Sequence, residues 1–553
     1  MTNTDASSQV RPLPELTPEN EFFWTSGKDG VLRVQRSIPC GALLFPPTPL
    51  CPYCHSTEID VVEVSGRGTV VGCTVNVHQW LPSMTPPYVI AMVALEEDAR
   101  VRLTTNIVGC DPDTVHPGMR VAVEFTEQAD VWFPLFTPTG DPEPGPLPTE
   151  DETKRRARPM ASPEKFEAKV AISGIGMSQL GRRLMRDPLS LTVEACLRAI
   201  DDAGLRREDI DGLSTYPGGA GGTGHSEGGV PAVENALRIR PTWFSGGPET
   251  PGQTGSIVNA MLAVASGLCR HVLCFRTVWE ATHAELQRQG RAGEGRGRIG
   301  GDMQWRIPYG ALSASNWIGM NASLHMHRYG TTRETLGAIA VNARTNAGRN
   351  PTAIYREPLT MDDYLSARII TTPFGLFDCD VPCDGSTAVI VSAVDVARDL
   401  AKPPVLVEAV GTQITEPVSW DQGTLEHEPM LAGPANHLWS RTDAQRDEVD
   451  VALLYDGFTF NCLSWIEALG FCGIGEGKDF VEGGTRIALD GDLPLNPHGG
   501  QLSAGRTHGY GFVHEAVVQL RGDGGARQVD DARLAVVSTG GGTPGGCFLL
   551  RSA

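Results

Sequence analysis

At 553 residues the chain exceeds what one hydrophobic core organises, and length alone argues for two to four domains. A formal charge of −20 disfavours general nucleic-acid binding and leaves room only for a local basic pocket toward an anionic ligand. No apolar run approaches the roughly 18–20 residues that cross a bilayer, so neither a nucleic-acid partner nor a membrane span is expected.

Residues 1–20 lack the charged-then-apolar pattern of an export signal and are expected to be a disordered lead. Thirteen scattered cysteines do not form a dense disulfide framework, which fits a reducing cytoplasm. In QRSIPCGALLFPPTPLCPYC, the Cys51-x-x-Cys54 pair after Cys40 has the spacing of two zinc-ribbon knuckles. Ser37 stands where the first thiol of that pattern belongs, so a four-thiolate site cannot form. Cys40, Cys51 and Cys54, with His55 or water, are left as an incomplete zinc site, and a zinc-free vestige is the expectation. The segments Gly68–Val77, Tyr88–Leu95 and Val101–Ile107 are short and rich in Val, Thr and Ile, and Asp113–Phe125 ends on alternating Met119, Val121, Val123 and Phe125. They predict a small β-barrel within a domain over residues 21–137. Residues 138–167, Pro-rich and charged without an apolar period, read as a linker.

From Val170 the pattern becomes an apolar strand and then a helix, Leu191–Ala203, with Val193, Cys196, Leu197 and Ile200 at helical spacing. A second such start near residue 405 and two closing strand runs, LAVVSTGGG and GGCFLLRS, predict an α/β unit of two similar halves, 168–400 and 401–553.

The string FFW…QR…CG…FPP…CPYC resembles the rubredoxin-like ribbon and OB-fold domains that accompany acyl-CoA-processing thiolase-like enzymes. The stretches Tyr329–Ser392, Tyr455–Gly477 and Leu495–Phe512 resemble the sterol-carrier-type thiolases and their lipid-transfer-protein relatives, a likeness covering residues 168–553. The resemblance implies a five-layer αβαβα thiolase fold preceded by a small all-β domain, a homodimer through the thiolase domains, and a coenzyme A thioester as substrate.

Against that family the chain departs twice. Its Cys-x-Ser/Thr-Gly loop keeps Thr254, Gly255 and a helix over Ser256–Gly267, but Gly252 replaces the nucleophile. The Gly-His-Pro place is Gly505-Arg506-Thr507, with His508 beyond it, so both the thiol and its activating imidazole are missing. Cys379, Cys383 and Cys462 lie near motif positions and have core or turn explanations. The lipid-transfer-type steroid aldolases also lack the cysteine, work with a ribbon/OB partner, and use one tyrosine in YD-x-F and another in G-Y-x-H-G. Tyr455 matches the first. Arg506 stands at the second, followed by His508, Gly509 and Tyr510.

The resemblance therefore implies retro-aldol cleavage of a bulky, steroid-like β-hydroxyacyl-CoA, without an acyl-enzyme. Tyr455 and His508 are expected to shuttle the proton, Arg506 to hold negative charge, and Tyr510 to belong to the same group. Gly252, Thr254, His498, Gly499, Gly500 and Gly541 are candidate substrate-side positions, and glycine at 252 is expected to leave room for a tertiary β-carbon. Bland readings make Tyr455 a core tyrosine and His498 a backbone anchor. Arg288, Arg291, Arg296 and Arg298 form a candidate CoA-phosphate loop, and Pro308–Gly330 would line an acyl channel, a dimer face or, by default, a core. The competing functions are an acyl-CoA C-acyltransferase and a non-catalytic acyl-CoA or sterol-binding protein.

Overall fold

The computed structural model describes residues 9–145, 156–216, 229–247, 252–290, 297–415, 427–542 and 545–553. Strands β1 (Leu32–Ser37), β2 (Leu43–Leu44) and β3 (Ile59–Val64) form an antiparallel ribbon in the order β2-β1-β3. Next come β4 (Arg67–Asn76), β5 (Tyr88–Leu95), β6 (Arg102–Thr105), β7 (Arg120–Gln128) and β8 (Val131–Pro138). β4 pairs with both β5 and β7, and β8 with β7. The barrel closes where the N–H of Phe136 donates to Asn106 O at 3.0 Å and that of Val108 donates to Phe136 O at 2.8 Å. The circuit β4-β5-β6-β8-β7 is that of an OB fold. β8 escapes a sequence reading because its run, VWFPLFTP, holds two prolines, and prolines demote a strand unless it lies at an edge or closure.

The rest of the described chain is built on two sheet halves of one pattern. The first half comprises β9 (Val170–Met177), β10 (Gly212–Thr215), β11 (Trp243–Gly246) and β12 (His271–Trp279), then, after the excursion β13 (Ile369–Thr371) and β14 (Phe374–Gly375), β15 (Asp384–Ala393). Its order is β11-β10-β12-β15-β9. The second half, β16 (Val405–Gly411), β17 (Val451–Leu453), β18 (Leu534–Thr539) and β19 (Gly546–Ser552), runs β16-β19-β18-β17. Its third-strand place is held by a single parallel bridge between Ala452 and Leu495.

Side chains alternate across these strands. On β12 and β15, Leu273, Phe275, Ala388 and Ile390 face the outer core under helix Pro188–Ala203, while Val272, Cys274, Val389 and Val391 face the inner one. The helices Gly255–Ala265 and Tyr510–Leu520 fill the inner layer, and His427–Trp439 with Thr459–Ala468 cover the second sheet. This is the expected five-layer arrangement. Helix Pro188–Ala203 begins three residues before the apolar periodicity does, because Asp187 caps it by accepting from Ser190 N–H, with Pro188 at the first position.

The two domains share a seam that the sequence reading did not foresee. Thr371 of β13 pairs with Asn76 of β4, and Gly72 of β4 lets helix Ala314–Tyr329 approach so closely that a Cβ would sit 2.9 Å from Met320 O. Trp305, Tyr309, Ala311, Met320 and Leu324 join one core with Phe23, Trp24 and the barrel. The aromatic stretch around Pro308–Gly330 thus packs into core, its default reading, and part of that core is shared between the two domains. The lead is also placed from residue 9 on: Pro14 bridges Ile299, and buried Arg11 donates to Asn106 Oδ1 (2.6 Å) and Pro308 O (2.9 Å). These bonds order a segment expected to be disordered. Residues 146–155 of the expected linker lie outside the described residues.

Candidate active site

Two loops converge at the C-terminal ends of β17 and β12. Tyr455 follows β17, its N–H donating to Ser538 Oγ at 3.0 Å, and its hydroxyl accepts from Gln253 Nε2 at 3.3 Å. The next residue, Asp456, is wholly buried and anchors the loop 496–509. Its Oδ1 accepts from Gln501 N–H (2.8 Å), and its Oδ2 from Asn496 Nδ2 (3.1 Å). Burial pushes this carboxyl up to about 8, against those donors. Gly500 is required here, since a Cβ would fall 1.8 Å from Asp456 Oδ2. Gly499 packs on Ala347 in the left-handed region at φ 102.

Anchored in this way, the loop presents Arg506 and His508. Arg506 Nε donates to Glu280 Oε2 at 2.7 Å and its Nη1 to Asp380 Oδ1 at 3.1 Å, while its Nη2 also meets Glu280. Burial works against the guanidinium's charge, but Asp380, Glu280 and the nearby Tyr455 raise its pKa further. Burial pushes Asp380 up to about 7 against the pull of Arg506, with Glu280 adding to the rise. Glu280 opens helix Glu280–Arg288, where a carboxylate is favoured by the unpaired N–H groups of the first turn. His508 Nε2 lies 3.6 Å from Glu280 Oε1, and its Nδ1 is 2.7 Å from Arg276 Nη2. Tyr455, Arg506 and His508 therefore share one cluster with Gln253, Glu280, Asp380 and Arg276.

The other candidate positions lie around it. Gly252 has φ 63, and a Cβ there would meet Thr539 Oγ1 at 2.6 Å and both Gly546 N and Thr539 O at 3.0 Å. The space expected to admit a tertiary β-carbon is taken by Thr539, whose Oγ1 also lies 3.0 Å from Thr254 Oγ1. Gly541 O accepts from Asn461 Nδ2 at 3.0 Å. Tyr510 points between the two inner helices, fully buried, with its hydroxyl on Ser256 Oγ at 2.5 Å. His498 stacks edge-on against Phe512 at 5.5 Å and lines a cavity of about 660 Å³ on the reverse face of the loop, with Gly505, Thr507 and His514. Burial pushes its imidazole down to about 3.

Burial also pushes the thiols of Cys379, Cys383 and Cys462 up, so none supplies a ready thiolate. Arg298 is engaged by Asp130 (2.5 Å) and Pro14 O (3.2 Å), and Arg288 by Glu285 (2.7 Å). Arg291 and Arg296 fall outside the described residues. Sequence reasoning missed Gln253, Glu280, Asp380 and Arg276. Asp380 had a signal in the acidic DCDVPCD run and Gln253 in the Gly252–Gly255 loop itself, whereas Glu280 and Arg276 are single polar residues with no motif around them.

In the ribbon, the sulfurs of Cys40, Cys51 and Cys54 lie within 4.8 Å of one another. Ser37 Oγ is 3.2 Å from Cys54 Sγ, in the place of the absent thiol. Burial opposes ionisation of Cys51, but the N–H groups of Cys54 and Tyr53 and the side chains of Ser37 and Cys40 outweigh it and hold the thiol down at about 6. This donor set fits a zinc ion.

Comparison with known proteins agrees with this architecture. Residues 24–60 match the ChsH2 rubredoxin-like zinc ribbon domain, residues 61–126 the ChsH2 C-terminal OB-fold domain, and residues 435–546 the thiolase C-terminal domain-like family. The chain is 33% identical to a steroid side-chain-cleaving aldolase of Thermomonospora curvata, over 69% of this chain and 97% of that one. It is also 33% identical to the 17-hydroxy-3-oxo-4-pregnene-20-carboxyl-CoA lyase of Mycobacterium tuberculosis, over 70% of this chain and 100% of that one. The solved Ltp2-ChsH2(DUF35) aldolase superposes with a TM-score of 0.63 and 31% identity, covering 70% of this chain and 99% of that one.

Proposed function

The chain belongs to the thiolase-like steroid side-chain-cleaving aldolases, and from that premise we propose that it cleaves a bulky, steroid-like β-hydroxyacyl-CoA to a ketone or aldehyde and a shorter acyl-CoA. The observation that carries the reading is the exclusion of any side chain at position 252 by Thr539 and the Gly546 backbone, which leaves no seat for a thiolase nucleophile. Retro-aldol cleavage needs no such seat. The β-hydroxyl proton passes to a base, the Cα–Cβ pair moves onto the thioester as an enolate, the β-carbon departs as a carbonyl, and one proton is returned at Cα.

Tyr455 is the proposed base, while Arg506 and His508 face the developing charge. Gly252, Thr254, Gly499, Gly500 and Gly541 shape the walls that the thioester meets, and His498 and Tyr510 support the loop and helix behind them. The sulfurs of Cys40, Cys51 and Cys54, with Ser37 beside them, would hold a structural zinc that cross-links the ribbon's two knuckles. A homodimer is part of the proposal. Among the described residues β11 is an edge strand, and Phe244 on it, with Leu262 and Leu268, is well exposed. No described helix is long and apolar enough to cross a membrane, and a cytoplasmic location belongs to the same proposal.

The test is incubation of the protein with a β-hydroxyacyl-CoA bearing a steroid-like side chain, following ketone and shorter acyl-CoA by chromatography and the protein by intact mass. Cleavage with an unmodified protein mass is the expected result. A covalent acyl adduct would overturn the lyase reading.

A further inference from the structure

Residues 374–384 run between the Tyr455 loop and the Arg506 loop and are bonded to both. Phe374 stacks on Phe458 with ring centres 5.2 Å apart and planes within 13°, and Cys379 forms an antiparallel bridge with Phe458. Buried Asp378 accepts from Thr459 Oγ1 and Tyr364 Oη, each at 2.6 Å. The N–H of Asp380 donates to Gly457 O at 3.1 Å, two residues beyond Tyr455. On the other side, the N–H of Val381 donates to Gln501 O, and Val381 O accepts from the N–H of Arg506, both at 3.0 Å. Backbone bonds therefore hold Asp380 where the two loops meet.

Its carboxyl is oriented as well as placed. The side chain is 6% exposed, Oδ1 accepts from Arg506 Nη1 at 3.1 Å, and Oδ2 bonds to nothing among the described residues. The charged and titratable groups that bear on it are Arg506 and Glu280, with Asp456, Cys379 and Cys383 on its other sides. Burial, against Arg506 and with Glu280, brings the carboxyl to about 7, so near neutral pH it both holds and releases a proton.

Retro-aldol cleavage moves two protons, one off the β-hydroxyl and one onto Cα. Arg506 can move neither, because a guanidinium keeps its charge. We propose that Asp380 is a second catalytic residue, the acid that delivers the proton to Cα. The inference rests on the aldolase reading, in which Tyr455 takes the hydroxyl proton. As the Cα–Cβ bond breaks, its electron pair passes onto the thioester as an enolate and the β-carbon becomes a carbonyl. The enolate then returns that pair to Cα, which takes the proton from Asp380 Oδ2. Tyr455 gives one proton to water and the Asp380 carboxylate takes one, which resets both groups without an oxidant or co-reactant.

By microscopic reversibility the Asp380 carboxylate also removes a proton from Cα of an acyl-CoA product, and this half-reaction is observable alone. The test incubates the full chain with propionyl-CoA in D2O and follows α-deuteration by mass, beside cleavage of the steroid-like β-hydroxyacyl-CoA. The wild-type protein should do both. Asp380→Asn, whose amide oxygen still accepts from Arg506, should lose exchange by about 100- to 10,000-fold while keeping the wild-type urea midpoint and propionyl-CoA affinity. Asp380→Glu should regain part of the exchange, and Tyr455→Phe should lose cleavage but still exchange. Three results would overturn the proposal: exchange at the wild-type rate in Asp380→Asn, a wild-type protein that cleaves without exchanging, or a loss in Asp380→Asn that takes propionyl-CoA affinity with it and is not regained in Asp380→Glu. Asp380-dependent exchange in a protein that cleaves no β-hydroxyacyl thioester would instead refute the aldolase reading while the assignment of Asp380 stood.

Discussion

Restoring a side chain at position 252 should damage the fold before it restores any thiolase chemistry. In Gly252→Ala the new Cβ meets Thr539 Oγ1 at 2.6 Å and two backbone atoms at 3.0 Å, all from the β18–β19 segment. Holding a residue with a Cβ in the left-handed region costs about 1–2 kcal/mol. Overpacking of a dense site adds about 1–3 kcal/mol, giving a loss of about 2–5 kcal/mol. The Thr539→Ala background removes the shortest of the three contacts and should recover about 1–3 kcal/mol of the penalty, leaving the backbone strain. Equilibrium urea unfolding of the four proteins closes a double-mutant cycle and reads the coupling directly. Gly252→Cys, taken alongside, should be destabilised at least as much and acquire no acyl group from acyl-CoA by intact mass. A Gly252→Ala protein as stable as wild type, or a Gly252→Cys protein that is both stable and acylated, would refute the steric argument.

Tyr455→Phe should lower kcat for carbon–carbon cleavage by about 100- to 10,000-fold, the usual worth of a proton-transferring group, with little change in KM in steady-state assays. The His498 imidazole is held down at about 3 by burial, so the unfolded chain takes up a proton below about pH 6.5 that the folded chain refuses. Stability present above pH 6.5 is therefore lost as pH falls toward 3, and His498→Gln should flatten that dependence in urea midpoints measured from pH 4.5 to 7.5. Identical slopes would count against it. Ser37→Cys should complete a four-thiolate set and slow zinc loss to a chelator relative to wild type, measured by metal analysis after dialysis; equal or faster loss would argue that Ser37 is not at a ligand position.

What the amino-acid order determined by itself is the sequence of domains and the place where the usual chemistry fails. Alternating β-branched runs predict the barrel, helical spacing from Val170 onward predicts the α/β halves, and motif likeness puts Tyr455, Arg506 and His508 at corresponding loops. Those signals are local, lying within one strand, one turn or one short motif. They fail where local chemistry misleads, as with the prolines of β8, and the cap at Asp187 shows how a helix can start before its apolar stripe.

Only the tertiary structure decided which polar residues meet. Glu280 and Arg276 lie more than 220 positions from Arg506 and His508 in the chain, and no spacing rule links a lone acid at a helix start in the first half of the fold to a loop within the second half. The same holds for Gly252: its neighbours in sequence suggest a vacated nucleophile seat, whereas Thr539, brought across from β18, fills that seat. Arg298 looked free for a phosphate until folding set it against Asp130. Contacts between distant segments arise from the packing of the two halves around the buried helix pair, and that packing depends on the summed shape of many side chains rather than on any one stretch of sequence.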